Sequence, residues 1–210
     1  MKKKVLVLAG APGAGKGTFK EKIVESWDFT GFPYTVIEMS SLLKQSEEFQ
    51  KIIASGALVN DEDVINIIKE PLEDSKYYTI LDGFPRTIAQ ADYLMGLENL
   101  DLVVVKMIAE DKQIIERVKN RRICPKCNAT YNLVKEELKP KQPGICDKCG
   151  SELIMRSDDA KIEKRLETYR NETEPTIEYL KDKGLEYYEV DSNNILEDGF
   201  VENFLFEIGM

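Results

Sequence analysis

Short apolar runs alternate with longer amphipathic stretches along the 210 residues of the chain. Such runs are typical of the buried strands of a parallel sheet, and apolar residues three and four positions apart are typical of the helices that cover it. The pattern therefore predicts an α/β fold, a parallel sheet with helices on both faces. Its five predicted strands are Val5–Ala9, Tyr34–Ile37, Tyr78–Leu81, Leu102–Ile108 and Leu185–Val190.

Helices are predicted between these strands where apolar residues recur with the helical period. Asp111 can cap a helix that runs to about Arg122, and a long charged helix is predicted from Asp159 to Lys183, where Gly184 ends it. Two other apolar stripes follow Lys16 and the acidic residues 61–63: Phe19, Ile23, Val24 and Trp27, and then Val64, Ile67 and Ile68.

Two stretches interrupt the alternation. Residues 38–56 have a helical pattern of their own, and residues 123–156 are rich in Cys, Pro, Gly and Lys without a clear period. Insertions of this kind lie at the edge of an open α/β sheet where ligands bind. The predicted organisation is a core of residues 1–37, 68–122 and 158–210, with insertions at 38–67 and 123–157.

The composition narrows the chemistry. The chain carries 38 acidic and 29 basic side chains, a net charge of −9, and no histidine. The negative charge argues against broad binding to nucleic acid or to an anionic membrane. The absence of histidine excludes imidazole catalysis and nucleophiles activated by imidazole. Catalysis must then rest on Lys, Arg, carboxylates, hydroxyls, thiolates or a bound metal.

The first apolar run, residues 5–9 after three lysines, resembles the start of a secretory signal. It is too short for such a signal, whose apolar core has roughly 7–15 residues. No stretch approaches the roughly 18 apolar residues of a membrane span. We expect a soluble, cytoplasmic protein, and purely structural disulfides are not expected in a reducing compartment.

A glycine-rich segment follows the first strand and leads into a helix. It reads Gly10-Ala11-Pro12-Gly13-Ala14-Gly15-Lys16-Gly17-Thr18. Glycines let successive N–H groups point at one anion, the start of the helix adds its dipole, and Lys16 adds a charge. The strict phosphate-loop pattern places a hydroxyl directly after the lysine, whereas here Gly17 intervenes before Thr18. The segment predicts a phosphate-binding loop, with a plain glycine-rich turn as the alternative.

The Gly-Lys-Gly-Thr ending resembles that of nucleoside monophosphate kinases, and further segments resemble adenylate kinases in particular. Residues 82–90 are similar to their D-G-F-P-R-T-x-x-Q segment, and residues 56–61 to their G-x-L-V-x-D segment. Residues 117–122, 156–159 and 164–166 resemble their R-x-x-x-R-R, R-x-D-D and K-R-L segments. The resemblance implies a P-loop NTPase-like core with a small helical acceptor-binding insertion and a lid.

The resemblance also implies that the donor nucleotide binds on the phosphate loop, through Gly13, Ala14, Gly15, Lys16, Gly17 and Thr18. Asp82 would orient Mg²⁺ through water. The transferring phosphoryl group carries widely spread charge, which arginines can stabilise. The implied arginines are Arg86 on the acceptor phosphate and Arg117, Arg121, Arg156 and Arg165 around the moving group.

The acceptor side departs from the family pattern. Gln90 would read the acceptor base, with Val59 and Gly83 alongside. Met39 stands where the family has a threonine near that base, and Lys44 stands where it has an arginine on the acceptor phosphate. Lysine keeps the charge and loses the bidentate geometry. The insertion is also shorter than usual, so a kinase of CMP, UMP or dAMP is an alternative.

The spacing of the arginines raises a second question. Arg117 and Arg121 fall on one predicted helix face, which alone would more often be a solvated stripe. Arg156 and Arg165 are nine residues apart where the family has about eleven, and two residues turn a helix face by roughly 200°. Either Arg156 precedes the helix or one of the two contributes less. A nucleotide-binding zinc protein with little activity is therefore a further alternative.

Four cysteines form two knuckles, Cys124 with Cys127 and Cys146 with Cys149. The spacing C-x2-C, eighteen residues, C-x2-C can place four thiolates tetrahedrally around a structural Zn²⁺. Two disulfides or four unligated thiols are the alternatives. Asn128 replaces the usual knuckle glycine, and asparagine tolerates the positive φ that this turn needs. The knuckles lie between Arg121 and Arg156, so the metal would stiffen the lid.

Taken together with the resemblance, these observations imply an adenylate-kinase-like, Mg²⁺-dependent enzyme that converts ATP and AMP to two ADP. We expect a monomer with ATP and AMP as its small-molecule partners, and no binding to nucleic acid or membranes.

Overall fold

The computed structural model describes residues 2–210, except the side chains of residues 157 and 158. The strands of these residues are, in chain order, β1 (Lys3–Gly10), β2 (Tyr34–Glu38), β3 (Tyr78–Asp82), β4 (Leu100–Ile108), β5 (Arg121–Ile123), β6 (Thr130–Asn132) and β7 (Glu186–Asp191). Each of the five predicted strands is confirmed, with ends that differ by at most two residues.

The α-helices of the described chain are α1 (Lys16–Thr30), α2 (Met39–Leu43), α3 (Glu47–Ala54), α4 (Asp61–Glu73), α5 (Ile88–Met95), α6 (Asp111–Asn120), α7 (Ile162–Thr168), α8 (Glu174–Asp182) and α9 (Phe200–Glu207). None of the helices within residues 2–210 combines the length and the apolar character that crossing a membrane requires. Side chains cap several helix starts: Asn60 accepts the Asp63 N–H at 3.0 Å and Thr87 accepts the Gln90 N–H at 3.3 Å.

The central sheet has five parallel strands in the order β2-β3-β1-β4-β7. The predicted α/β class with a five-stranded parallel sheet is therefore confirmed. In the register of the sheet Asp82 is the partner of both Leu8 and Glu38. The carboxyl ends of β1, β2 and β3 thus meet at one edge, where open α/β sheets bind ligands.

Helices cover both faces of the sheet because side chains of a strand point alternately to either side. Val5, Val7 and Ala9 of β1 pack in a core with α2, α4, α5 and α8, whereas Leu6 and Leu8 pack in a second core with α1 and α9. All five are at least 95% buried, and full burial of such an aliphatic side chain stabilises a fold by about 1.5–3 kcal/mol. These two cores hold the sheet edge rigid.

Two predicted helices differ in the structure. The helix expected to run to about Arg122 ends at Asn120, and Glu110 rather than Asp111 takes the cap position. Arg121 is already extended and pairs with Asn132, so its backbone belongs to the hairpin β5–β6 and not to the helix. Arg121 and Arg117 therefore do not share a helix face.

The long helix predicted from Asp159 to Lys183 consists of four consecutive pieces. A 3₁₀ turn (Ser157–Lys161) leads into α7, and a π-helical segment (Tyr169–Thr173) separates α7 from α8. Pro175 lies in the first turn of α8, and because proline has no N–H it interrupts the regular hydrogen-bond ladder. Gly184, at φ 81°, follows the last piece as predicted.

The two insertions contribute to one cleft above the sheet edge. The first contains α2, α3 and the start of α4, so its predicted limit at residue 67 falls within a helix. The second is built on the hairpin β5–β6, which a bridge between Ile123 and Ile154 extends. Residues of both insertions line the cleft together with the glycine-rich loop.

Candidate active site

The glycine-rich loop joins β1 to α1 in a conformation that its glycines make accessible. Gly10 has φ 140° and Gly13 has φ 86°. A Cβ atom on Gly10 would lie 2.7 Å from the Met107 carbonyl oxygen, and one on Gly13 would lie 2.8 Å from Cγ2 of Val118. Because α1 begins at Lys16, its free N–H groups and dipole face the end of the loop. The loop is thus built to receive an anion.

Lys16 lies inside this loop. Its Nζ donates to the carbonyl oxygens of Gly10 at 2.7 Å and Ala11 at 3.1 Å. Burial lowers the pKa of Lys16 to about 7; Asp82 opposes the shift, whereas Arg86, Arg165 and Arg121 add to it. The ammonium group therefore lies where a polyanion would stabilise its charge.

Cationic side chains from distant parts of the chain meet in the cleft. They come from the loop, from the segment after β3, from α6 and β5, from the end of the second insertion and from α7, and they include Lys16, Arg86, Arg117, Arg121, Arg156 and Arg165. Positive charges gathered around one cleft repel one another unless anions balance them. The arrangement is suited to a ligand with several phosphate groups.

Asp159 positions two of these arginines. Arg121 forms a bidentate pair with it, with Nε at 3.0 Å from Oδ2 and Nη2 hydrogen-bonded to Oδ1. Nη1 of Arg165 lies 3.6 Å from the same Oδ1. Only 3% of the Asp159 side chain is exposed, so it is a fixed anchor. In the sequence Asp159 falls in the segment 156–159 that resembles R-x-D-D, but positioning of the arginines was not predicted for it.

Arg117 is held from the opposite side of the cleft. Its Nη1 donates to Oγ of Ser192 at 2.6 Å and its Nη2 to Oδ1 of Asn193 at 2.9 Å. Arg86 is fixed by its own turn, where Nε donates to the Gly83 carbonyl oxygen at 3.0 Å. Because Arg117 is hydrogen-bonded to Ser192 and Asn193, it is not part of a solvated helix face, which was the alternative interpretation.

The backbone resolves the short spacing of Arg156 and Arg165. Arg156 is extended, at φ −73° and ψ 128°, and precedes the 3₁₀ turn, whereas Arg165 lies within α7. Of the two alternatives, the structure shows the first, in which Arg156 precedes the helix, and both side chains line the cleft. The side chain of Asp158, in the same matching segment, lies outside the described part of the chain.

The remaining predicted site residues, from the phosphate loop and from the acceptor side, divide into two groups. Lys44 and Gly83 line the cleft, as do Gly13, Gly15, Gly17, Thr18 and Asp82. Ala14, Met39, Val59 and Gln90 are instead buried, with at most 4% of each residue exposed, and lie outside this lining. The structure thus brings together the predicted phosphate contacts more closely than the predicted base contacts.

Gln90 takes part in a buried network. Its Oε1 accepts the Arg86 N–H at 2.8 Å, and its Nε2 donates to Oδ1 of Asp61 at 2.8 Å. The Thr87 hydroxyl donates to the same Asp61 oxygen at 2.6 Å. Gln90 is therefore no ordinary exposed helix residue, and Asp61 links the start of α4 to the segment that carries Arg86.

Lys20 and Glu38 also belong to the site, although no role was predicted for them. The Lys20 ammonium group pairs with Asp82 Oδ2 at 2.8 Å and with Glu38 Oε1. Two signals in the sequence point to them. Lys20 lies one helical turn after Lys16, and Glu38 ends a strand as Asp82 does.

The first insertion is also tied to α7 and to the residue that precedes it. Nζ of Lys161 donates to the Ala54 carbonyl oxygen at 2.6 Å, and Oγ1 of Thr168 donates to the Gly56 carbonyl oxygen at 3.0 Å. Lys161 and Thr168 flank Arg165 along the chain. The end of α3 is thus fixed to the same helix that presents a cleft arginine.

The four cysteines of the second insertion meet in one cluster. Sγ of Cys124 lies 3.4 Å from that of Cys149, Sγ of Cys127 lies 3.5 Å from that of Cys146, and all four sulfurs lie within 4.8 Å of one another. Tetrahedral Zn–S bonds of about 2.3 Å place sulfurs about 3.8 Å apart, so the cluster fits that ion. The cysteines are free thiols, which excludes the disulfide alternative in this structure.

The backbone of the two knuckles supports this arrangement. The N–H groups of Asn128 and Gly150 donate to the carbonyl oxygens of Cys124 and Cys146, both at 2.9 Å. Asn128 has φ 59° and Gly150 has φ 72°. The prediction that asparagine can take the knuckle position is therefore confirmed.

Comparison with known proteins gives a consistent result. Residues 8–185 match the family model of adenylate kinase. The adenylate kinase of Treponema denticola is 41% identical over 186 residues, which cover 85% of this chain and 88% of that protein. That of Caldicellulosiruptor bescii is 40% identical, covering 86% and 88%. That of Mesoplasma florum is 36% identical, covering 94% and 97%.

Proposed function

The chain belongs to the adenylate kinase family, and from this premise we propose that it transfers the terminal phosphoryl group of ATP to AMP and so forms two ADP. The observation that carries the proposal is the convergence of Lys16 with the cleft arginines. Phosphoryl transfer needs positioning and neutralisation of charge more than covalent catalysis. A chain without histidine can supply both.

Each part of the cleft has a task in this reaction. The loop amides and Lys16 hold the donor phosphates, and Arg86 with Lys44 holds the acceptor phosphate. An acceptor oxygen attacks the terminal phosphorus, and the electron pair of the broken bond passes to the departing ADP oxygen. Arg121, Arg156 and Arg165 neutralise the charge of the moving group, and arginine contributions of this kind are worth about 10³–10⁵ in rate.

Two metals complete the proposal. Mg²⁺ bound with ATP would neutralise phosphate charge, and the hard carboxylate oxygens at the sheet edge, including Asp82, suit such an ion. Cys124, Cys127, Cys146 and Cys149 would hold a structural Zn²⁺ in a lid of residues 123–157, while residues 38–67 bind the acceptor. A closed lid excludes water, which would otherwise compete for the phosphoryl group. The monomeric state and the cytoplasmic location stay predictions.

A panel of acceptors tests the activity. Steady-state rates with ATP and Mg²⁺ should be highest for AMP and lower for dAMP, CMP and UMP. The buried Met39 and the lysine at position 44 are the observations that favour another acceptor. If CMP or UMP were a better acceptor than AMP, the protein would be a kinase of that monophosphate, and the proposed activity would be wrong.

Substitutions test the residues. Lys16→Met and Arg86→Ala should abolish ADP formation while the melting temperature stays close to that of the unmutated protein. Arg170→Ala is the matched control, because Arg170 pairs with Asp111 on an exposed surface outside the cleft. An unmutated protein that binds ATP but forms no ADP would favour the catalytically weak alternative.

A further inference from the structure

Two carboxylates and one ammonium group lie together at the sheet edge beside the phosphate loop. Glu38 and Asp82 end the neighbouring parallel strands β2 and β3 and are direct partners in the register. Lys20 reaches them from α1 and forms an ion pair with each. The ammonium group thus bridges the ends of two strands.

The bridge is well fixed and poorly solvated. Only 13% of the Lys20 side chain and 19% of the Asp82 side chain are exposed. The Ser41 hydroxyl donates to Oε2 of Glu38 at 2.8 Å, so both oxygens of that carboxylate are engaged. Charges near a protein surface interact several times more strongly than in bulk water. Without the ammonium group, the two carboxylates would repel each other at close range.

This cluster is part of the transfer site and not a remote surface ion pair. Lys20, Glu38, Ser41 and Asp82 all line the cleft beside the phosphate loop. Burial by itself would raise the pKa of Asp82, but Lys20, Lys16 and Arg86 outweigh it and hold that pKa below its usual range. Asp82 therefore responds to Lys20 and to two cations that face the nucleotide.

We propose that Lys20 is a positioning residue that acts as a built-in counter-ion: it holds Glu38 and Asp82 together while no nucleotide is bound and disfavours binding of a free divalent cation between them. The proposal rests on the proposed function, in which Asp82 faces the metal that arrives with ATP. With Lys20 in place the three groups carry one net negative charge, and without it they carry two.

Binding of Mn²⁺ to the nucleotide-free protein tests this directly, because bound Mn²⁺ loses the sharp electron paramagnetic resonance signal of the free ion. Lys20→Met should bind Mn²⁺ about tenfold more tightly than the unmutated protein, since one nearby positive charge is removed. Lys22→Met is the matched control on the same helix, because Lys22 is exposed and pairs with Glu25. It should bind Mn²⁺ as the unmutated protein does.

A second substitution locates the bound ion. Adding Glu38→Gln to Lys20→Met should remove the gained affinity, because one of the two carboxylates is then neutral. Lys20→Gln, which keeps a hydrogen-bond donor between the carboxylates, should show the same gain if Lys20→Met folds poorly. Equal Mn²⁺ affinity in Lys20→Gln and the unmutated protein would overturn the proposal.

Catalysis supplies an independent measurement. Lys20→Met removes the group that holds Asp82 in position, so it should lower kcat with little change in the KM for AMP. Lys20→Arg keeps the positive charge and should restore most of the rate. A merely structural role would lower the melting temperature without this rescue. The Mn²⁺ result does not require phosphoryl transfer, so a chain without kinase activity would leave it intact and would contradict only the proposed function.

Discussion

Lys16 lies among cations before any nucleotide arrives. Its ammonium group donates to two loop carbonyl oxygens, and burial together with three arginines outweighs Asp82 and lowers its pKa to about 7. In the free protein Lys16 therefore loses its proton more readily than an ordinary lysine does. A bound polyphosphate favours the charged form and raises this pKa.

Nucleotide binding should consequently take up a proton. Above pH 7 the uptake per ATP should approach about one, and the affinity for ATP should decrease as the pH rises, because the proton must be supplied by the solvent. Calorimetric titrations in buffers of different ionisation enthalpy measure the uptake. Lys16→Met should remove most of it; an unchanged uptake in this variant would assign the proton to another group.

Asp159 gives a second prediction at the residue scale. Asp159→Asn removes the charge that anchors Arg121 and Arg165, and misplacement of catalytic groups by about 1 Å can cost about 10²-fold in rate. We expect kcat to fall by about that factor while the protein stays folded, as measured by steady-state kinetics and circular dichroism.

The control for Asp159 is Asp111→Asn. Asp111 also pairs with an arginine, but both side chains are at least half exposed, and such surface pairs are worth about 0–1 kcal/mol. Its kcat should not change. If both variants kept full activity, Asp159 would have no part in positioning the arginines.

At the scale of elements, sequence reasoning is strongest for the buried strands. Residues 102–108 and 78–81 form runs rich in apolar and β-branched side chains because helices cover both faces of the sheet. A run this short is buried on both sides mainly in a parallel sheet covered by helices, so it predicts that sheet directly. The end of α6 could not be predicted in the same way. Arg121 is extended because it pairs with Asn132 of a later strand. The apolar periodicity from which the helix was predicted does not reveal this distant partner.

The candidate site shows the same division. Lys16 and the four cysteines were predicted because their spacing along the chain carries the chemistry, and Arg86 was predicted from the family resemblance of its segment. The pairing of Lys20 with Glu38, and that of Arg121 with Asp159, joins residues 18 and 38 positions apart. Only the folded chain determines these pairs, although Glu38 at a strand end was a usable signal.

The second insertion gives a prediction about metal removal. Among the described residues its core is small: Cys124, Ala129, Tyr131, Cys146 and Leu153 are buried, and the partly buried Cys149 packs against them. Zinc binding to small modules contributes about 10–16 kcal/mol to folding, far more than so small a core can supply. Chelation or Cys146→Ser should unfold the lid at a lower temperature than the core, and calorimetry should then resolve two transitions.

The metal content provides the control for this experiment. Purified unmutated protein should hold about one zinc per chain, since four thiolates form one closed site. Lys22→Met, outside the lid, should keep both the metal and the single transition. A metal-free protein with an unchanged melting curve would contradict the structural zinc.

At the scale of the whole molecule, the net charge of −9 and the positive charge of the cleft affect anionic ligands over different distances. We expect acidic side chains outside the cleft to repel extended polyanions, and the cleft to attract a short polyphosphate that fits between its walls. Salt screens the first effect over roughly 8 Å at physiological ionic strength. Charge thus selects ligands by size as well as by sign.

This selection can be measured. Duplex DNA should give no gel shift at about 0.15 M salt, because few phosphates can meet basic side chains. Inorganic tripolyphosphate should bind and be displaced by ATP, and Arg86→Ala should weaken its binding. A DNA shift that ATP abolishes would contradict the prediction, since the cleft would then admit an extended polyanion.

The place of the cysteine knuckles in the chain has a consequence for protein synthesis. The sheet gains its last strand, β7, only after residues 186–191 have left the ribosome, whereas both knuckles have emerged by residue 149. A ribosome adds about 5–20 residues per second. If the knuckles bind zinc as proposed, the nascent chain would capture the metal seconds before the sheet is complete, and the zinc supply of the cell would act on the protein during its translation.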